Sequence, residues 1–499
     1  MRLSDISEWL VPVHVVGEQD IKIENIACDS RKVSAGDLFI CLRGFTVDGH
    51  DFAAQAVAQG AVALVVEEKL AVDVPQLVVP DTRRAMAVIS SRFFDFPSNK
   101  FKLIGVTGTN GKTTTTHLIY HIMTAWGKKA GLIGTINRRI GDQVVEMKNT
   151  TPEALDLQRY LHDMHREGAD YVAMEVSSHA LDLGRVRGCQ FRTAVFTNLT
   201  QDHLDYHETM ENYLAAKELL FTQLGNTYSC KQAAYAVLNA DDAASDYLLK
   251  RTAAQVVTYG IDQAADVRAT NIRFSGQGVS FDVETFRGNG HLDLQLTGKF
   301  SVYNALAALA TCLLEGVPFT VIKDSLEQVA GVDGRFERVN AGQPFTVLVD
   351  YAHTPDSLEN VLKTVQEFVS GRVYCVVGCG GDRDRAKRPL MAQIAVQHSD
   401  VAVLTSDNPR TEDPERILQD MVDGVSGVDR ARFTEIIDRR EAIQFAIDAA
   451  EPGDVVLIAG KGHETYQEIN GKRYDFDDRS VARAAIAANG FAKERERIE

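Results

Sequence analysis

The stretch 103–116 places a glycine-rich turn between an apolar segment and a helical one. Leu103–Thr107 predicts a buried strand, and Gly108 and Gly111 allow backbone N–H groups of the turn to wrap around an anion. The usual phosphate-loop pattern, GxxxxGK[ST], needs a glycine at position 106, where this chain has Val106. The pattern fails at its first residue, but the strand, the turn and the positive end of the helix are kept. These features predict an α/β fold with an anion site at the carboxyl end of a strand.

Strand and helix signals alternate through the central part of the chain. Further strands are predicted at 171–176, 193–197, 234–238 and 255–259, with helical stretches between most of them. This alternation is typical of a doubly wound, mostly parallel sheet. Residues 266–298 change to alternating apolar and polar side chains, which predicts antiparallel strands attached to that sheet, and an alanine-rich helix follows from Tyr303.

At 499 residues the chain is too long for one core, and its patterns predict three domains. Residues 1–98 form a small α/β unit with strands at 61–66 and 76–79, and residues 99–333 form the central unit. Two glycines flank an acid in Gly331-Val-Asp-Gly-Arg335, which predicts a hinge. Residues 334–499 form a Rossmann-like unit with strands near 345–350, 373–378, 401–405 and 454–459, a last helix over 478–489 and a frayed tail.

The composition excludes several classes of function. Hydrophobic residues make up 45% and charged residues 24%, as in an ordinary soluble enzyme. The formal net charge of −16 argues against nucleic acid or an anionic membrane as the main partner. Because the N-terminus lacks a signal-like apolar core and no apolar run approaches about 18 residues, we expect a cytoplasmic protein. The seven cysteines are scattered without a CxxC pair, which favours reduced thiols over a metal site.

Lys112 and Thr113 open the helix after the glycine turn, where a lysine reaches β/γ-phosphate oxygens and a hydroxyl ligates Mg²⁺. The turn alone would suit a GTPase switch or an ATP-driven motor equally well. The sequence has no guanine-reading Asn-Lys-x-Asp, and no run of four apolar residues ends in Asp-Glu. Glu175, at the end of a predicted strand, is the candidate acid that helps to hold Mg²⁺. The alternative is a glutamate that faces solvent.

Two further residues are candidates for chemistry. Lys217 falls within the apolar stripe of a predicted helix around 211–224, where a helix normally carries leucine. Lys217 either snorkels to solvent or is a neutral buried amine that takes up CO₂ and becomes a carbamate ligand for Mg²⁺. His203 follows a predicted strand and is either a metal ligand or a residue that orients its loop.

A rigid polar cluster follows the apolar run Val401–Leu404. Asp407-Asn-Pro-Arg410 combines a carboxylate, an amide and a guanidinium, and Pro409 restricts the backbone of the cluster. Taken alone, the cluster is either a turn with a salt bridge or part of a binding site.

Several motifs together resemble those of the Mur ligases of peptidoglycan synthesis. In the central part they are Gly108-Thr-Asn-Gly-Lys-Thr113, Glu175-Val-Ser-Ser-His179, Thr197-Asn-Leu-Thr-Gln-Asp-His203, Tyr213-Leu-Ala-Ala-Lys217, Gly298-Lys-Phe-Ser-Val-Tyr-Asn304 and Gly334-Arg-Phe-Glu337. In the C-terminal part they are Asp350-Tyr-Ala-His-Thr-Pro355, Gly378-Cys-Gly-Gly-Asp-Arg-Asp384, Asp407-Asn-Pro-Arg410 and Ala459-Gly-Lys-Gly-His-Glu464. The resemblance covers nearly the whole chain.

The resemblance implies an ATP-dependent ligase that forms an amide through an acyl phosphate. The implied reaction adds meso-2,6-diaminopimelate to UDP-N-acetylmuramoyl-L-alanyl-D-glutamate with the help of two Mg²⁺ ions. The implied catalytic residues are Lys112, Lys217, His203 and Glu175. The implied metal ligands are Thr113, Glu175, His203 and Lys217 as N6-carboxylysine. The implied ATP-binding residues are Gly108, Thr109, Asn110, Gly111, Lys112, Thr113, Thr114, Asn304, Arg335 and Asp350.

The resemblance also assigns the two other substrates. Ser30, within Cys28-Asp-Ser-Arg31, is implied on the uridine side, and no nucleotide contact is assigned in 41–46. The path of the UDP-muramoyl dipeptide is implied at Asn149, Thr150, Thr151, Ser177 and Arg185. The diaminopimelate site is implied at Arg383, Asp407, Asn408, Pro409, Arg410, Gly460 and Glu464. In this reading Arg410 pairs with a carboxylate that L-lysine lacks, while Asp407, Asn408 and Glu464 accept from the distal ammonium.

Alternatives stay open within and beyond this class. The nearest are the same reaction with L-lysine, and another Mur or folylpolyglutamate synthase-like ligase. A P-loop switch or motor lacks its motifs here, and Lys112, Lys217 and His203 argue against a non-catalytic binding protein. We expect a monomer with small-molecule partners, without nucleic acid and without integral membrane association.

Overall fold

Three large sheets follow one another along the chain in the computed structural model, which describes residues 1–44, 47–147, 149–226, 233–275 and 278–489. Each sheet has buried apolar clusters on both faces. The predicted three-domain α/β architecture is therefore confirmed, while the limits 98/99 and 333/334 stay a prediction. Cys230 and the tail 490–499 lie outside the described residues.

The first sheet has the strand order β1-β5-β4-β3-β2, with β1 antiparallel to β5 and the other pairs parallel. Its strands are β1 (His14–Val16), β2 (Asn25–Ala27), β3 (Asp37–Ile40), β4 (Ala63–Val66) and β5 (Gln76–Val78). Its helices are α1 (Leu3–Ser7), α2 (Ala53–Ala58) and α3 (Thr82–Phe93), with 3₁₀ turns at Ser30–Lys32, Gly49–Phe52 and Pro97–Asn99. The two predicted strands are confirmed as β4 and β5. The prediction missed β1, β2 and β3.

The central sheet has the order β16-β15-β14-β13-β12-β11-β6-β10-β7-β8-β9. Its strands are β6 (Lys102–Thr107), β7 (Ala130–Ile133), β8 (Asn137–Ile140), β9 (Gln143–Glu146), β10 (Tyr171–Glu175), β11 (Phe191–Phe196), β12 (Tyr235–Asn239), β13 (Gln255–Gly260), β14 (Val267–Ser275), β15 (Gly278–Thr285) and β16 (Gly290–Leu294). Its helices are α4 (Lys112–Ala125), α5 (Ala154–Arg166), α6 (Ser178–Asp182), α7 (Leu204–His207), α8 (Met210–Thr222), α9 (Ala244–Leu249), α10 (Lys299–Leu314) and α11 (Phe319–Gln328).

Strand β6 lies in the middle of this sheet, between β10 and β11, and it pairs with both in parallel. All three strands are nearly continuous apolar runs, as expected for strands covered by helices on both faces. Their carboxyl ends meet at one edge, so the turn after β6, Glu175 on β10 and the loop after β11 become neighbours. The antiparallel strands predicted over 266–298 are confirmed as β14, β15 and β16.

The C-terminal sheet has the order β17-β18-β22-β19-β20-β21, parallel except for β17. Its strands are β17 (Glu337–Arg338), β18 (Thr346–Asp350), β19 (Val373–Cys379), β20 (Val401–Ser406), β21 (Phe433–Glu435) and β22 (Val455–Ala459), and β23 (Tyr466–Ile469) and β24 (Lys472–Asp475) form a separate hairpin. Its helices are α12 (Pro355–Gln366), α13 (Lys387–His398), α14 (Pro414–Asp423), α15 (Arg439–Ala449) and α16 (Asp478–Ala488), with a 3₁₀ turn at Arg430–Arg432. The four predicted strands and the last helix are confirmed within one or two residues at each end.

The predicted hinge is a tight turn in the structure. Arg335 N donates to Val332 O at 2.8 Å, and Gly334 has φ +64°. A side chain at Gly334 would lie 2.0 Å from His463 N, so this turn packs against the loop after β22. Its glycine is needed for close approach as well as for conformation.

Among the described residues, none of the helices is both long enough and apolar enough to cross a bilayer. The cysteines that the structure describes are free thiols, as predicted. Burial raises the pKa of Cys375 and of Cys379 to about 12, so both thiols on β19 are protonated.

A buried ion pair joins α15 and α16 beneath the carboxyl ends of β20 and β22. Arg439 Nε and Nη2 contact the Asp478 carboxylate at 2.8 and 2.7 Å, and both side chains are fully buried. The same guanidinium donates to Ser406 O at 3.5 Å and to Ala459 O at 3.0 Å, the last residues of the two strands. The pair therefore fixes the two strand ends relative to each other.

We expect Asp478→Ala to destabilise the C-terminal domain by about 3–5 kcal/mol, because it leaves the Arg439 charge buried without its partner. Thermal unfolding followed by calorimetry measures this loss. The matched control is Arg430→Ala, which breaks the exposed pair Arg430–Glu435 and should cost less than about 1 kcal/mol. Equal small losses for both variants would contradict a structural role for the buried pair.

Candidate active site

The side chain of Lys112 is hydrogen-bonded to carbonyl oxygens of the glycine turn. Gly108 has φ +148° and Gly111 has φ +86°, values that glycine adopts without strain. Lys112, the first residue of α4, donates from Nζ to Gly108 O at 2.9 Å and to Thr109 O at 2.8 Å. Burial lowers the pKa of Lys112, against the nearby carboxylates of Glu175 and Asp202, which raise it. The ammonium thus lies at the helix N-terminus, where an anion would be bound.

Glu175 is buried, so the alternative of a solvent-facing glutamate is wrong. Its Oε2 accepts from Thr113 Oγ1 and from Thr135 Oγ1, each at 3.0 Å, and its Oε1 accepts from Thr135 N at 2.8 Å. Among the described residues these recorded donors are all neutral. A buried carboxylate with only neutral donors suits a cation next to it.

A magnesium site at Thr113 and Glu175 is chemically reasonable. No three His, Cys, Asp or Glu side chains within the described ranges come together as a metal site of their own. Mg²⁺ commonly uses one or two protein oxygens and takes its other ligands from water and phosphate. The Thr113 hydroxyl, just after the glycine turn, and the Glu175 carboxylate, at the end of β10, fit that requirement.

Lys217 is buried on α8, so the snorkelling alternative is wrong. Its Nζ donates to Gly108 O at 2.9 Å and lies 4.2 Å from the centroid of the Tyr213 ring. Burial, reinforced by the charge of Lys112, lowers the pKa of Lys217 well below its usual range. A neutral amine at this position is a nucleophile, as carbamate formation requires.

His203 lies at the start of α7 with φ +54°, and its Nε2 is 3.4 Å from Asp202 Oδ2. Burial lowers the pKa of His203 to about 4, against Asp202, which raises it. The neutral imidazole packs edge-on against His179, with ring centroids 4.7 Å apart. A neutral ring is the form that binds metals.

Three ATP candidates, Asn304, Arg335 and Asp350, come from outside residues 108–114. Asn304, on α10, has its Oδ1 3.4 Å from Thr115 Oγ1, and a side chain at Gly111 would lie 2.3 Å from this oxygen. Arg335 Nη2 donates to Thr113 Oγ1 at 3.0 Å. Arg335 Nε is buried without a recorded partner in the described part of the chain, which leaves a donor for a further anion. Asp350 is buried at the end of β18 and accepts from Phe336 N at 2.6 Å.

Threonines 150 and 151 join the substrate candidates to Glu175. Thr151 Oγ1 donates to Glu175 O at 2.9 Å and accepts from Ser177 N at 3.1 Å. Arg185 Nη1 donates to Thr151 O at 3.1 Å. Thr150 Oγ1 is 3.0 Å from Thr135 Oγ1, whose residue also binds Glu175. Four of the six predicted residues for the sugar–dipeptide therefore adjoin the proposed metal site.

An ion pair between Arg83 of the first domain and Glu153 of the central domain joins the first domain to this group. This carboxylate contacts Arg185 Nη2 at 2.8 Å and Arg83 Nη1, on α3, at 3.2 Å. Ser30 lies apart from that contact in its own domain, where its hydroxyl donates to Gln55 Oε1 at 3.4 Å. Asn149 is exposed. The structure thus places neither Ser30 nor Asn149 in the cluster around Thr151.

The Asp407–Arg410 cluster has fixed hydrogen bonds. Asn408 Oδ1 accepts from Lys461 Nζ at 3.1 Å and from Glu468 N at 2.9 Å, and Asn408 Nδ2 donates to Glu464 Oε2 at 2.8 Å. With both lone pairs of Asn408 Oδ1 used, the predicted role of Asn408 as an acceptor for an ammonium is wrong. Asp407 and Glu464 are the acceptors that remain. Burial raises the pKa of Glu464, whereas Lys461 lowers it.

Hairpin β23–β24 holds this cluster in place. Arg410 has φ +52°, and its backbone N–H donates to Glu468 O at 3.0 Å while Asn470 N donates to Arg410 O at 2.6 Å. Gln467 Nε2 donates to Asp407 O at 2.6 Å. Arg410 Nη1 donates to Gly381 O at 2.6 Å, which aims one edge of the guanidinium and leaves other donors for a ligand.

A cavity of about 720 Å³ lies between the central and C-terminal domains. Its central wall includes His179, Asp202 and His203. Its C-terminal wall includes the predicted amino-acid residues Arg383, Asp407, Asn408, Arg410, Gly460 and Glu464. The cavity therefore places His203, one of the four predicted metal ligands, opposite the predicted amino-acid site. Pro409 is buried behind it, where its carbonyl packs against Gly381.

Sequence reasoning missed several residues that support the site. Thr135 anchors Glu175, and Glu153 joins two domains. Lys461 lies within the motif Ala459-Gly-Lys-Gly-His-Glu464, but no role was predicted for it. Arg439 gives no local signal, since an arginine in the first turn of a helix is common on protein surfaces.

Comparisons with known proteins agree with this geometry. The chain matches the models of the Mur ligase family catalytic domain over 22–94, the Mur ligase middle domain over 106–312, and the Mur ligase glutamate ligase domain over 334–462. A Bacillus cereus protein named UDP-N-acetylmuramoyl-L-alanyl-D-glutamate–2,6-diaminopimelate ligase is 54% identical, covering 97% of this chain and 98% of the relative. A Geobacillus thermodenitrificans protein of the same name is 57% identical, covering 95% and 96%.

Solved structures of Mur ligases also match this chain over nearly its whole length. A structure of a UDP-N-acetylmuramoyl-L-alanyl-D-glutamate–2,6-diaminopimelate ligase has a TM-score of 0.69 and 38% identity, and the match covers 98% of this chain and 99% of that one. MurF ligase from Thermotoga maritima in complex with ADP has a TM-score of 0.64 at 18% identity, covers 97% and 100%, and shows the shared fold alone. The chain belongs to the Mur ligase family.

Proposed function

We propose that this chain joins meso-2,6-diaminopimelate to UDP-N-acetylmuramoyl-L-alanyl-D-glutamate in an ATP-dependent amide-forming reaction through an acyl phosphate. The observation that carries the proposal is the cavity between the two domains. Its central wall carries Asp202 and His203 from the loop after β11, and its C-terminal wall carries a group of paired charges for an amino acid. The names of relatives at 54% and 57% identity support the choice of substrates.

The first step transfers the γ-phosphoryl group of ATP to the side-chain carboxylate of the D-glutamyl residue. Such a transfer needs alignment and charge neutralisation more than covalent help from the protein. In our proposal Lys112 and the N–H groups of the glycine turn hold the phosphates, and Arg335 adds a donor from the C-terminal domain. Mg²⁺ held by Thr113, Glu175, His203 and Lys217 would neutralise phosphate charge when bound. The remaining ATP-binding residues would be Gly108, Thr109, Asn110, Gly111, Thr114, Asn304 and Asp350.

The second step is attack of the amino acid's amine on the acyl phosphate, with release of phosphate. The cavity would hold the amino acid so that its reacting amine points towards the central domain, while its distal end faces Asp407 and Glu464. Arg410 and Arg383 would pair with carboxylates. L-lysine leaves one of these guanidinium groups without a partner, and a site built for a paired charge strongly rejects a ligand that lacks it.

Lys217 would act as its carbamate. The Lys217 amine nitrogen forms a bond to the carbon of CO₂ and loses one proton, which gives a carbamate. This reaction turns a buried donor into an anionic oxygen ligand. The lowered pKa of Lys217 supports this proposal, because only the neutral amine adds CO₂. Thr150, Thr151, Ser177 and Arg185 would line the path of the sugar–dipeptide, with Ser30 and Asn149 further along it. A monomer in the cytoplasm, as expected from the sequence, remains part of the proposal.

We expect the purified protein with Mg²⁺, ATP and UDP-N-acetylmuramoyl-L-alanyl-D-glutamate to use meso-diaminopimelate with a kcat/KM more than about a hundredfold above that for L-lysine. Phosphate release measured over a panel of amino acids gives these values. Omission of the amino acid is the control. Equal or faster use of lysine would overturn the assigned substrate and leave the ligase reaction standing.

We expect Lys217→Ala to lose more than about a hundredfold in kcat, because it removes the carbamate oxygens from the metal site. Formate or acetate in the assay should restore part of the activity by supplying a carboxylate. The control is Lys250→Ala, which removes an exposed lysine after α9 and should leave activity unchanged. Full activity of Lys217→Ala would remove the carbamate from the mechanism.

We expect Gly111→Ala to raise the KM for ATP by more than about tenfold. The added methyl would lie 2.3 Å from Asn304 Oδ1, so either the turn or the Asn304 side chain, itself an ATP candidate, must shift. Gly127→Ala is the matched control, because Gly127 has φ +74° and open space around it. It should cost about 1 kcal/mol of stability without affecting the KM. An unchanged KM in Gly111→Ala would exclude a tight packing role for this glycine.

A further inference from the structure

Lys461 is a fully buried lysine that touches two residues of the proposed amino-acid site. Its Nζ donates to Asn408 Oδ1 and to Glu464 Oε2, each at 3.1 Å. It lies between two glycines with positive φ, Gly460 at +116° and Gly462 at +52°. A side chain at Gly460 would lie 2.7 Å from Asp407 Oδ2, so the loop runs directly against the cluster. The lysine is therefore held in one place by its own loop.

The ammonium of Lys461 determines which atoms of the pocket face a ligand. The ammonium and the backbone N–H of Glu468 both donate to Asn408 Oδ1. The amide is therefore oriented with its Nδ2 towards Glu464. Glu464 Oε2 accepts from both Lys461 and Asn408, so Oε1 is the Glu464 oxygen left for a ligand among the contacts that the structure describes. Lys461 does not line the cavity, while Glu464 does. The lysine thus acts on a ligand through Glu464 and Asn408.

The four charged side chains of the Asp407–Arg410 cluster and the Lys461 loop sum to zero, whereas the wider cavity also has Asp202, Asp205, Asp356, Glu359, Asp384 and Lys387 on its walls. Asp407 and Glu464 contribute two negative charges, and Arg410 and Lys461 contribute two positive ones, while Arg383 stands exposed at the rim. The distal end of meso-diaminopimelate carries an ammonium and a carboxylate and is neutral. The distal end of L-lysine carries an ammonium alone. In a poorly solvated pocket, an added charge without a partner is strongly unfavourable.

We infer that Lys461 is a positioning residue that determines specificity by making the pocket neutral, so that it accepts a neutral distal group and rejects a cationic one. This inference rests on the proposed function, because it concerns the choice between two amino acids by the same ligase. Without Lys461 the pocket would carry one net negative charge and would match the single ammonium of lysine.

The test compares kcat/KM for meso-diaminopimelate and for L-lysine in the wild type, Lys461→Met and Lys461→Arg. Methionine keeps the length of the buried side chain without its charge. We expect Lys461→Met to lower the diaminopimelate-to-lysine ratio by more than about tenfold, with a rise in the absolute value for lysine, while the KM for ATP stays constant. Lys461→Arg should keep the wild-type preference. A merely structural role would lower both values in proportion, and that result, or an unchanged ratio, would overturn the inference.

Glu464→Gln provides an independent test of the inference, which holds even if Lys461→Met does not fold. This variant leaves the pocket with one net positive charge, so the ratio should rise above that of the wild type although diaminopimelate use falls. A falling ratio in Glu464→Gln would contradict the role of net charge. The two failures are distinguishable, because a wild type that does not use diaminopimelate refutes the proposed function, whereas the inference fails only through the variants.

Discussion

The C-terminal domain is held against the glycine turn by two polar contacts, and the cavity between the domains depends on them. Arg335 Nη2 donates to Thr113 Oγ1 at 3.0 Å, and Asp356 Oδ2, in the first turn of α12, accepts from Asn110 Nδ2 and Thr200 Oγ1, each at 2.8 Å. Thr113 and Asn110 are residues that the proposal gives to ATP, and Thr200 Oγ1 lies 3.5 Å from Asn110 Nδ2. A nucleotide on the turn would therefore meet groups of both domains, so its binding and the alignment of the amino-acid pocket are physically connected.

The amino-acid pocket depends on charges buried beneath it. Arg439 and Asp478 form a fully buried pair that fixes the carbonyls at the ends of β20 and β22, and these strands carry the Asp407–Arg410 cluster and the Lys461 loop. Buried Lys461 has Glu464 as its partner, as Arg439 has Asp478, because burial of such a charge without a partner would be too unfavourable. The resulting pocket is rigid, and rigidity is what allows a site to reject a ligand that differs by one carboxylate.

The fold and the core of the site were predictable because their signals are local. Buried strands give apolar runs, the turn after β6 gives its glycines, and Lys217 interrupts an apolar helical stripe. The parts that could not be predicted depend on contacts across long sequence separations. Thr135 is recognised only once β7 places it beside Glu175, and the engagement of Asn408 Oδ1 by Lys461 joins residues 53 positions apart. Strand β1 and the separate hairpin β23–β24 were also not predicted, although that hairpin fixes the backbone of Arg410.

Lys112 and Lys217 donate to the same carbonyl, Gly108 O, each at 2.9 Å. Two cations at one buried oxygen would repel each other strongly, so the site favours a state in which at most one of them is charged. Lys112 begins a helix and has Glu175 and Asp202 nearby, whereas Lys217 is deeper and has the larger reduction in pKa. Burial therefore favours the neutral form at Lys217. Its conversion to a carbamate would replace the repulsion by attraction to Lys112, and the added anion would favour a divalent cation nearby. The geometry of one shared carbonyl thus explains why carbamate formation and metal binding would stabilise each other at this site.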